Sequence, residues 1–280
     1  MIAGCGGDAG SGGDHAAQGE LDIPAVIEQA KADGTAKTTG TIEVEGMGLA
    51  KPFQTELKGT TSLDEVAADL SFEGAPMFER MGVPAEGPVR LVLVNDQVAV
   101  SVPQPLDAEI PEGKQWIGLD LGKAMGTGEA GIEAIFRSDI ESSLAPFEAG
   151  APLKHVGEEE INGVDTTHWR GEASLDEYLA TLPEAEEKKA RESLMSGPDG
   201  STESDMAKRE PVDFWIDDDH HLRRMLATST LEKTKSTPAG KLSLQFDYDE
   251  YSQPDIALPD KAATWDATDT LTEEMAKQPS

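Results

Sequence analysis

Apolar and polar residues alternate along much of the chain, which is the pattern of strands with one buried and one solvated face. The alternation is clearest near the C-terminus, in the run Leu242, Ser243, Leu244, Gln245, Phe246, Asp247, Tyr248 and Asp249. With the segments 212–216 and 222–232, this run predicts an antiparallel meander of three strands. The apolar face of such a sheet must be covered by a second layer.

The first turn of this meander is rich in groups that bind cations. Asp217, Asp218 and Asp219 are followed directly by His220 and His221. Because carboxylates are costly to bury without partners, we expect the three acids to turn in solvent. Imidazole and carboxylate are competent ligands of transition metals. Neighbouring side chains diverge in an extended chain, however, so metal capture by this turn is the weaker interpretation.

The N-terminal half predicts one helix followed by short strands. The segment 21–33 has apolar residues at helical spacing, and Pro24 suits the first turn of a helix. The segment 64–72 is compatible with a short helix as well as with a strand. Asn95 and Asp96 predict a hairpin turn. The predicted strands are 38–45, 53–63, 67–72, 89–94, 97–102 and 116–121.

A second hairpin is predicted in the middle of the chain. Asn162 followed by Gly163 is the strongest short hairpin signal in the sequence. His155 and His168 lie on the two arms of this hairpin, where we expect them to be cross-strand residues at the surface. The two arms are 153–161 and 164–173.

Helical patterns flank this hairpin. The segment 132–144 has an apolar side at helical spacing. Ser174 suits the N-cap of a helix that begins at Leu175. A charged helix is predicted over 184–195, and a polar, mobile segment over 196–208.

These elements indicate a single α+β domain. About ten or eleven strands in antiparallel sequence, with four inserted helices, require the helices to lie on the apolar face of the sheet. We expect the domain to span 21–258, after a flexible N-terminal segment, 1–20, and before a C-terminal tail, 259–280.

The composition is strongly acidic, with 54 Asp and Glu against 23 Lys and Arg and a formal net charge of −31. Such a surface repels nucleic acids and anionic lipid head groups, so binding of DNA or RNA is not expected. Negative charge also keeps a protein soluble, which is the simpler interpretation. No stretch of about 18 apolar residues occurs, so any membrane attachment is expected through a lipid.

Cys5 is the single cysteine, which excludes an intramolecular disulfide. The preceding Ile2, Ala3 and Gly4 match a bacterial lipobox, in which the cysteine is diacylglyceryl-modified and becomes N-terminal after cleavage. The following Gly- and Ser-rich segment is typical of a flexible tether. Since only four residues precede Cys5, this interpretation requires a signal peptide upstream. An ordinary thiol in a cytosolic tail is the alternative to an anchor on the extracytoplasmic face of the cytoplasmic membrane.

The segment 126–131 matches the Gly-x-Gly-x-x-Gly fingerprint of dinucleotide-binding folds. A Rossmann unit needs a parallel sheet of near-continuous apolar strands, whereas the neighbouring strands here form hairpins. A flexible entry into a helix is therefore the favoured interpretation. The sequence has no nucleophile elbow, metalloprotease helix or phosphate loop, so neither enzyme activity nor a cofactor is expected.

Several segments together resemble a family of actinobacterial lipoproteins. They are the lipobox and tether, the opening helix with its Thr-rich strands, 115–121, 157–169, the helix from Leu175, 211–219 and 222–224. Over about 21–258 the chain resembles the LppX and LprG type, which is similar to the LolA and LolB lipoprotein carriers. The resemblance implies a curved antiparallel half-barrel of about ten or eleven strands, with helices on the concave face around an apolar cavity for acyl chains. Known members carry or present lipids.

No motif of this family marks the cavity residues, so the candidates come from amphipathic faces. They are Met77, Phe78 and Met81 in a loop, Ile135 and Phe136 on a helix, and Phe214 and Leu244 on the sheet. The same side chains equally suit a filled core. The resemblance thus implies a lipid-anchored protein that binds a lipid or other apolar molecule. The alternative is a surface lipoprotein with a filled core that acts through a protein partner.

Overall fold

The computed structural model describes residues 20–46, 51–73, 87–101, 110–124, 140–196, 202–231, 238–270 and 272. The helices are α1 (Ile23–Asp33), α2 (Leu121–Ala124), α3 (Ile140–Glu148), α4 (Leu175–Leu179), α5 (Glu184–Ser196) and α6 (Glu203–Ala207). The strands are β1 (Thr35–Gly46), β2 (Phe53–Ser62), β3 (Ala67–Glu73), β4 (Pro88–Val94), β5 (Gln97–Ser101), β6 (Trp116–Asp120), β7 (Leu153–Ile161), β8 (Val164–Ser174), β9 (Arg209–Ile216), β10 (Leu222–Leu231), β11 (Gly240–Tyr251) and β12 (Thr264–Asp266).

The twelve strands form one open, curved sheet in the order β12-β6-β5-β4-β3-β2-β1-β11-β10-β9-β8-β7. Neighbouring strands are antiparallel, except that β12 pairs in parallel with β6. The sheet is not closed, because β12 and β7 stand at opposite ends of this order. The predicted α+β class with a curved antiparallel half-barrel is therefore confirmed, with one strand more than the largest predicted number.

The extra strand relative to the sequence prediction is β12. It lies within the segment 259–280, which the sequence predicts as a tail. Strand β12 pairs with β6, and the N–H of Ala267, the next residue in the chain, donates a hydrogen bond to the carbonyl of Gly118 in β6 at 2.9 Å. A strand of three residues is too short to show alternation, so the hydrophobic pattern does not predict it.

Helix α1 begins and ends as its sequence predicts. The carboxylate of Asp22 accepts a hydrogen bond from the N–H of Ala25 at 3.1 Å, and Pro24 lies in the first turn. Gly34, with a φ of 67°, follows the last residue of the helix. The buried apolar side comprises Ile23, Val26, Ile27 and Ala30.

Both predicted hairpins are confirmed. Asn162 and Gly163 have φ values of 52° and 84° between β7 and β8, as a two-residue type I′ turn requires. Asn95, with a φ of 55°, lies in the turn between β4 and β5. The alternative of a short helix over 64–72 is wrong, because β3 pairs with both β2 and β4 from Ala67 onward.

The main core lies where α1 and α3 pack against the apolar face of the sheet. The phenyl ring of Phe147 on α3 lies over Gly171 of β8, where a Cβ would be 2.2 Å from the ring. The same ring meets Phe214 of β9 edge to face, with ring centroids 5.7 Å apart. Other buried members of this core include Ile140, Leu144, Trp169, Val212, Ile216, Leu222, Met225 and Tyr248.

Helices α4 to α6 lie in the chain segment that connects β8 to β9, and they form a smaller packed unit. The predicted cap is confirmed, since Ser174 and Glu177 form a reciprocal capping box. Leu179, Ala190 and Met206 are the buried residues of this unit. The prediction of a polar, mobile segment over 196–208 is wrong at 203–207, because α6 forms there and buries Met206. Among the described residues, no helix is long and apolar enough to cross a membrane.

Candidate ligand-binding face

The register of the strands places large apolar side chains in a row across the sheet. From β2 to β8 this row contains Leu57, Gly40, Phe246, Met225, Phe214 and Trp169. Directly opposed residues of paired strands point to the same face, so these residues share the apolar face. Apart from Phe246, which is half-buried, each is more than nine-tenths buried. We refer to these six residues as the buried row.

Two further rows lie on the same face, toward the connections from β1 to β2 and from β10 to β11. The first contains Thr55, Ile42, Leu244 and Ala227, and the second contains Phe53, Val44, Leu242 and Ser229. All eight side chains are only half-buried. Burial on β1, β2 and β10 therefore decreases from the buried row toward the strand ends, and on β11 Phe246 is already half-buried. We define the apolar patch as Ile42, Val44, Phe53, Leu242 and Leu244.

On the other side of the buried row, toward α1, the face is tightly packed. The hydroxyls of Thr38 and Thr61 are buried and lie 2.6 Å apart, within hydrogen-bonding distance. Tyr248, opposite Thr38, is 3% exposed, and burial raises the pKa of its phenol. The apolar face is thus packed at the α1 end and half-buried at the opposite end.

The chemistry of the apolar patch suits hydrocarbon. Its five side chains are aliphatic or aromatic, while polar residues of the same strands, such as Glu43 and Ser243, alternate onto the other face. Apolar groups buried against such a surface gain about 0.8 kcal/mol per methylene. The patch offers neither metal ligands nor groups for acid–base catalysis.

The structure describes two of the predicted cavity residues, and it places them in different surroundings. Leu244 belongs to the apolar patch and is half-buried. Phe214 belongs to the buried row, with no exposed surface, two strands away in the sheet. Met77, Phe78, Met81, Ile135, Phe136 and Cys5 lie outside the described residues, as does the glycine-rich segment 126–131.

On the opposite, outer face, a polar network replaces the expected solvated surface around His168. The prediction that His168 lies at the surface is wrong, because the residue is only 5% exposed. Its Nδ1 lies 3.0 Å from Glu159 and its Nε2 lies 2.6 Å from Asp213, on the two flanking strands. The ring also stacks on Trp215, with centroids 4.1 Å apart. His155 is half-buried on the apolar face, against Trp169.

This network continues across the strands that carry the buried row. The indole N–H of Trp215 donates to Glu159 at 3.0 Å, and this bond is the main reason that the pKa of Glu159 is lowered. Arg224 of β10 donates twice to Asp247 of β11, each time at 2.6 Å. These contacts join β7, β8 and β9 to one another and β10 to β11, so they support the register that aligns the rows on the other face.

The turn between β9 and β10 differs from its prediction at one acid. Asp218 and Asp219 are exposed, but Asp217 is buried, so the expectation that all three acids lie in solvent is wrong. Asp217 accepts from the backbone N–H of His221 at 2.9 Å and from Nε of Arg223 at 2.7 Å. Burial alone would raise the pKa of Asp217, but these bonds hold it below its usual range. Charge pairing thus offsets the cost of burial.

The same turn contacts the end of α1. Gln29 donates to Oδ1 of Asp33 at 3.0 Å and lies 3.2 Å from Nε2 of His221. Oδ2 of Asp33 is buried with no hydrogen-bond partner among the described residues, and burial raises the pKa of Asp33. The ring of His221 stacks on Tyr251, with centroids 4.7 Å apart. In the described parts of the chain, no three or more His, Cys, Asp or Glu side chains are arranged to hold a metal.

The outer face also has a shallow depression of about 210 Å³. Polar residues of β1, β2 and β11 form most of its lining, including Thr39, Thr41, Glu56, Lys58, Gln245 and Asp247. This lining is unsuited to an apolar ligand, so we assign the candidate site to the apolar patch.

The sequence alone did not identify four of the five patch residues. Ile42, Val44, Phe53 and Leu242 all lie in strands that the sequence predicts correctly. Alternation shows which residues of one strand share a face, but it does not show which strand lies beside it. The pairing of β1 with β11, which are distant in the chain, is the missing information.

Comparison with known proteins gives a likeness of fold. No protein-family model matches the chain, and no curated protein matches it significantly. Among solved structures, the lipoprotein LppX from Mycobacterium tuberculosis is 16% identical with a TM-score of 0.41, over 84% of this chain and 98% of LppX. The chain is similar to LppX.

Further solved structures extend this likeness. LprF from Mycobacterium bovis is 11% identical with a TM-score of 0.35, over 85% of this chain and 95% of LprF. A LolA superfamily protein from Nitrosomonas europaea is 10% identical with a TM-score of 0.26, over 88% of this chain and 99% of that protein. These matches thus include proteins of the LppX type and of the LolA type.

Proposed function

We propose that this chain is a lipid-anchored, extracytoplasmic lipoprotein that binds a lipid or another apolar molecule against the apolar patch. The observation that supports it is the decrease in burial from the buried row toward the ends of β1, β2 and β10. Leu57 and Met225 in the buried row are 6% and 8% exposed, whereas the patch residues beyond them are half-buried. An acyl chain over the patch would remove its remaining apolar area from water, and this is the driving force for binding.

The proposal includes an anchor and further apolar residues of the site. Cys5 would attach the chain to the cytoplasmic membrane through its acyl groups, as the lipobox of the sequence implies. Met77, Phe78, Met81, Ile135 and Phe136 are proposed cavity residues, since methionine and phenylalanine form adaptable apolar surface. Incorporation of labelled palmitate by the wild type, and its loss in Cys5→Ser, would test the anchor.

Native mass spectrometry of the full chain, purified from a bacterial host, tests ligand binding. Acyl groups on Cys5 are covalent and persist in the denatured mass, so a non-covalent ligand is the difference between the native and denatured masses. We expect a discrete excess in the native mass that extraction with organic solvent removes. An unchanged mass, also after incubation with a membrane lipid extract, would favour a filled core and action through a protein partner.

A pair of neighbouring substitutions locates the binding face. Leu244→Lys places a charge in the apolar patch, whereas Ser243→Lys places the same charge on the outer face opposite Glu43. We expect the bound excess to fall at least several-fold in Leu244→Lys and to persist in Ser243→Lys. Thermal unfolding of both variants checks that they remain folded. Equal retention of ligand by two folded variants would place the binding site elsewhere.

A further inference from the structure

Phe246 lies at the border between the buried row and the apolar patch, and its ring leans over the backbone of Gly40. A Cβ at position 40 would lie 2.8 Å from Cδ1 and 3.0 Å from Cε1 of Phe246. The two residues are directly opposite each other on β1 and β11. Glycine therefore makes room for the ring, and any other residue at position 40 would displace it.

The surroundings of this ring differ on its two sides. On the packed side, Phe246 contacts the main core, and its row neighbours Leu57 and Met225 are almost fully buried. On the other side, the next apolar residues along β1 and β11 are Ile42 and Leu244, which are half-buried. An apolar chain that lies on the patch and extends toward α1 would thus meet Phe246 before it meets the core.

We propose that Phe246, seated over Gly40, forms the inner end of the ligand site and limits the length of the acyl chain that the site accepts. This inference rests on the proposed function and assigns a determinant of specificity within the same site. The pair acts through shape alone, because phenylalanine and glycine offer the ligand no charge. A ring is well suited to this role, since close-packed apolar surfaces do not tolerate the overlap that a longer ligand would cause.

Opposite changes of the pair should move the limit in opposite directions. Phe246→Ala removes the ring and opens the site toward the buried row, so longer chains are accepted. Gly40→Ala pushes the ring outward, so shorter chains are accepted or occupancy falls. The double variant Gly40→Ala, Phe246→Ala has no ring to displace, and it should therefore resemble Phe246→Ala.

The test is competition among single-chain ligands, read by native mass spectrometry of the full chain. Each variant is stripped of ligand and offered an equimolar mixture of short-, medium- and long-chain saturated fatty acids. Masses that differ by whole methylene groups then report the preferred length directly. We expect the preferred length to increase in Phe246→Leu and further in Phe246→Ala, and to decrease in Gly40→Ala.

Phe147→Leu is the matched control for Phe246→Leu. Phe147 also lies over a strand glycine, Gly171, but it belongs to the core, so its substitution loosens packing without reaching the patch. We expect this control to retain the wild-type preference. If the wild type binds fatty acid and Phe246→Leu and Phe246→Ala keep its length profile, the limit set by Phe246 is wrong and the proposed function stands. If the wild type binds neither fatty acid nor membrane lipid, both are wrong.

Discussion

Two phenylalanine rings on the apolar face show how its two regions differ. Phe147 and Phe246 each lie over a strand glycine, Gly171 and Gly40. Phe147 comes from helix α3 and is 5% exposed, whereas Phe246 comes from the sheet itself and is half-buried. Helix α3 therefore covers the sheet at Gly171 of β8. At Gly40 of β1, by contrast, the covering ring comes from Phe246 on the neighbouring strand β11. Similar apolar residues thus serve as core in one region and suit a ligand surface in the other.

The largest expected difference between the two regions is the loss in free energy of unfolding when an apolar side chain is truncated to alanine. Phe214→Ala empties a fully buried site and should lower the free energy of unfolding by about 3–5 kcal/mol. Leu244→Ala removes a half-buried side chain and should cost about 1 kcal/mol, since less apolar area is lost. Denaturant unfolding of the ligand-free protein measures both values.

This comparison fails if the two truncations cost the same. A large loss in Leu244→Ala would show that the apolar patch is filled core, as the protein-contact alternative requires. Ser243→Ala, on the outer face of the same strand, is the control for general effects on β11. We expect it to change the free energy of unfolding by less than about 0.5 kcal/mol.

Local sequence signals predicted most of the fold. Alternation identified β1, β2 and β11, and helical spacing identified α1. Asn162 and Gly163 specified their turn because few residues adopt a positive φ at low cost. These features depend on residues that are close in the chain, so a single sequence contains the information for them.

Features that depend on distant partners were predicted poorly. His168 is buried because Glu159 and Asp213, on separate strands, face its two ring nitrogens. The border at Gly40 and Phe246 likewise depends on the pairing of β1 with β11. Alternation gives the face of each residue but not the neighbour across the strand, so neither site could be derived from the sequence.

The next largest effect on the free energy of unfolding is expected from Asp217, in the turn between β9 and β10 at the packed end of the face. Asp217→Asn keeps an oxygen for the backbone of His221 but removes the charged partner of Arg223, and should cost about 1.5–3 kcal/mol near neutral pH. The pKa of Asp217 is lowered in the folded protein, so its contribution is present above the usual pKa of aspartate. As the pH falls through the lowered pKa, the difference between wild type and variant should vanish. Denaturant unfolding across this pH range measures it.

A control separates the two regions in this experiment. Because Asp217 lies at the α1 end of the face, its substitution should leave the fatty-acid length profile of the apolar patch unchanged. A changed profile at neutral pH would mean that the packed and half-buried regions are coupled, and that the covered region does not act as a passive support.

The smallest effect is an expected gain in stability, in contrast to the losses above, and it comes from substitution of Asp33. Its pKa is raised, mainly by burial, so its ionised form is disfavoured in the folded protein, and Oδ2 has no hydrogen-bond partner among the described residues. The stability that the protonated form gives is present below the usual pKa of aspartate, and it is lost as the pH rises through the raised value. Asp33→Asn removes the charge and keeps an acceptor for Gln29, so it should be more stable than wild type by about 1 kcal/mol near neutral pH. Thermal unfolding across the acidic range should show this advantage shrink as the pH falls. An advantage that persists in acid would instead arise from packing, and a loss at neutral pH would mean that the ionised carboxylate stabilises the contact between α1 and His221.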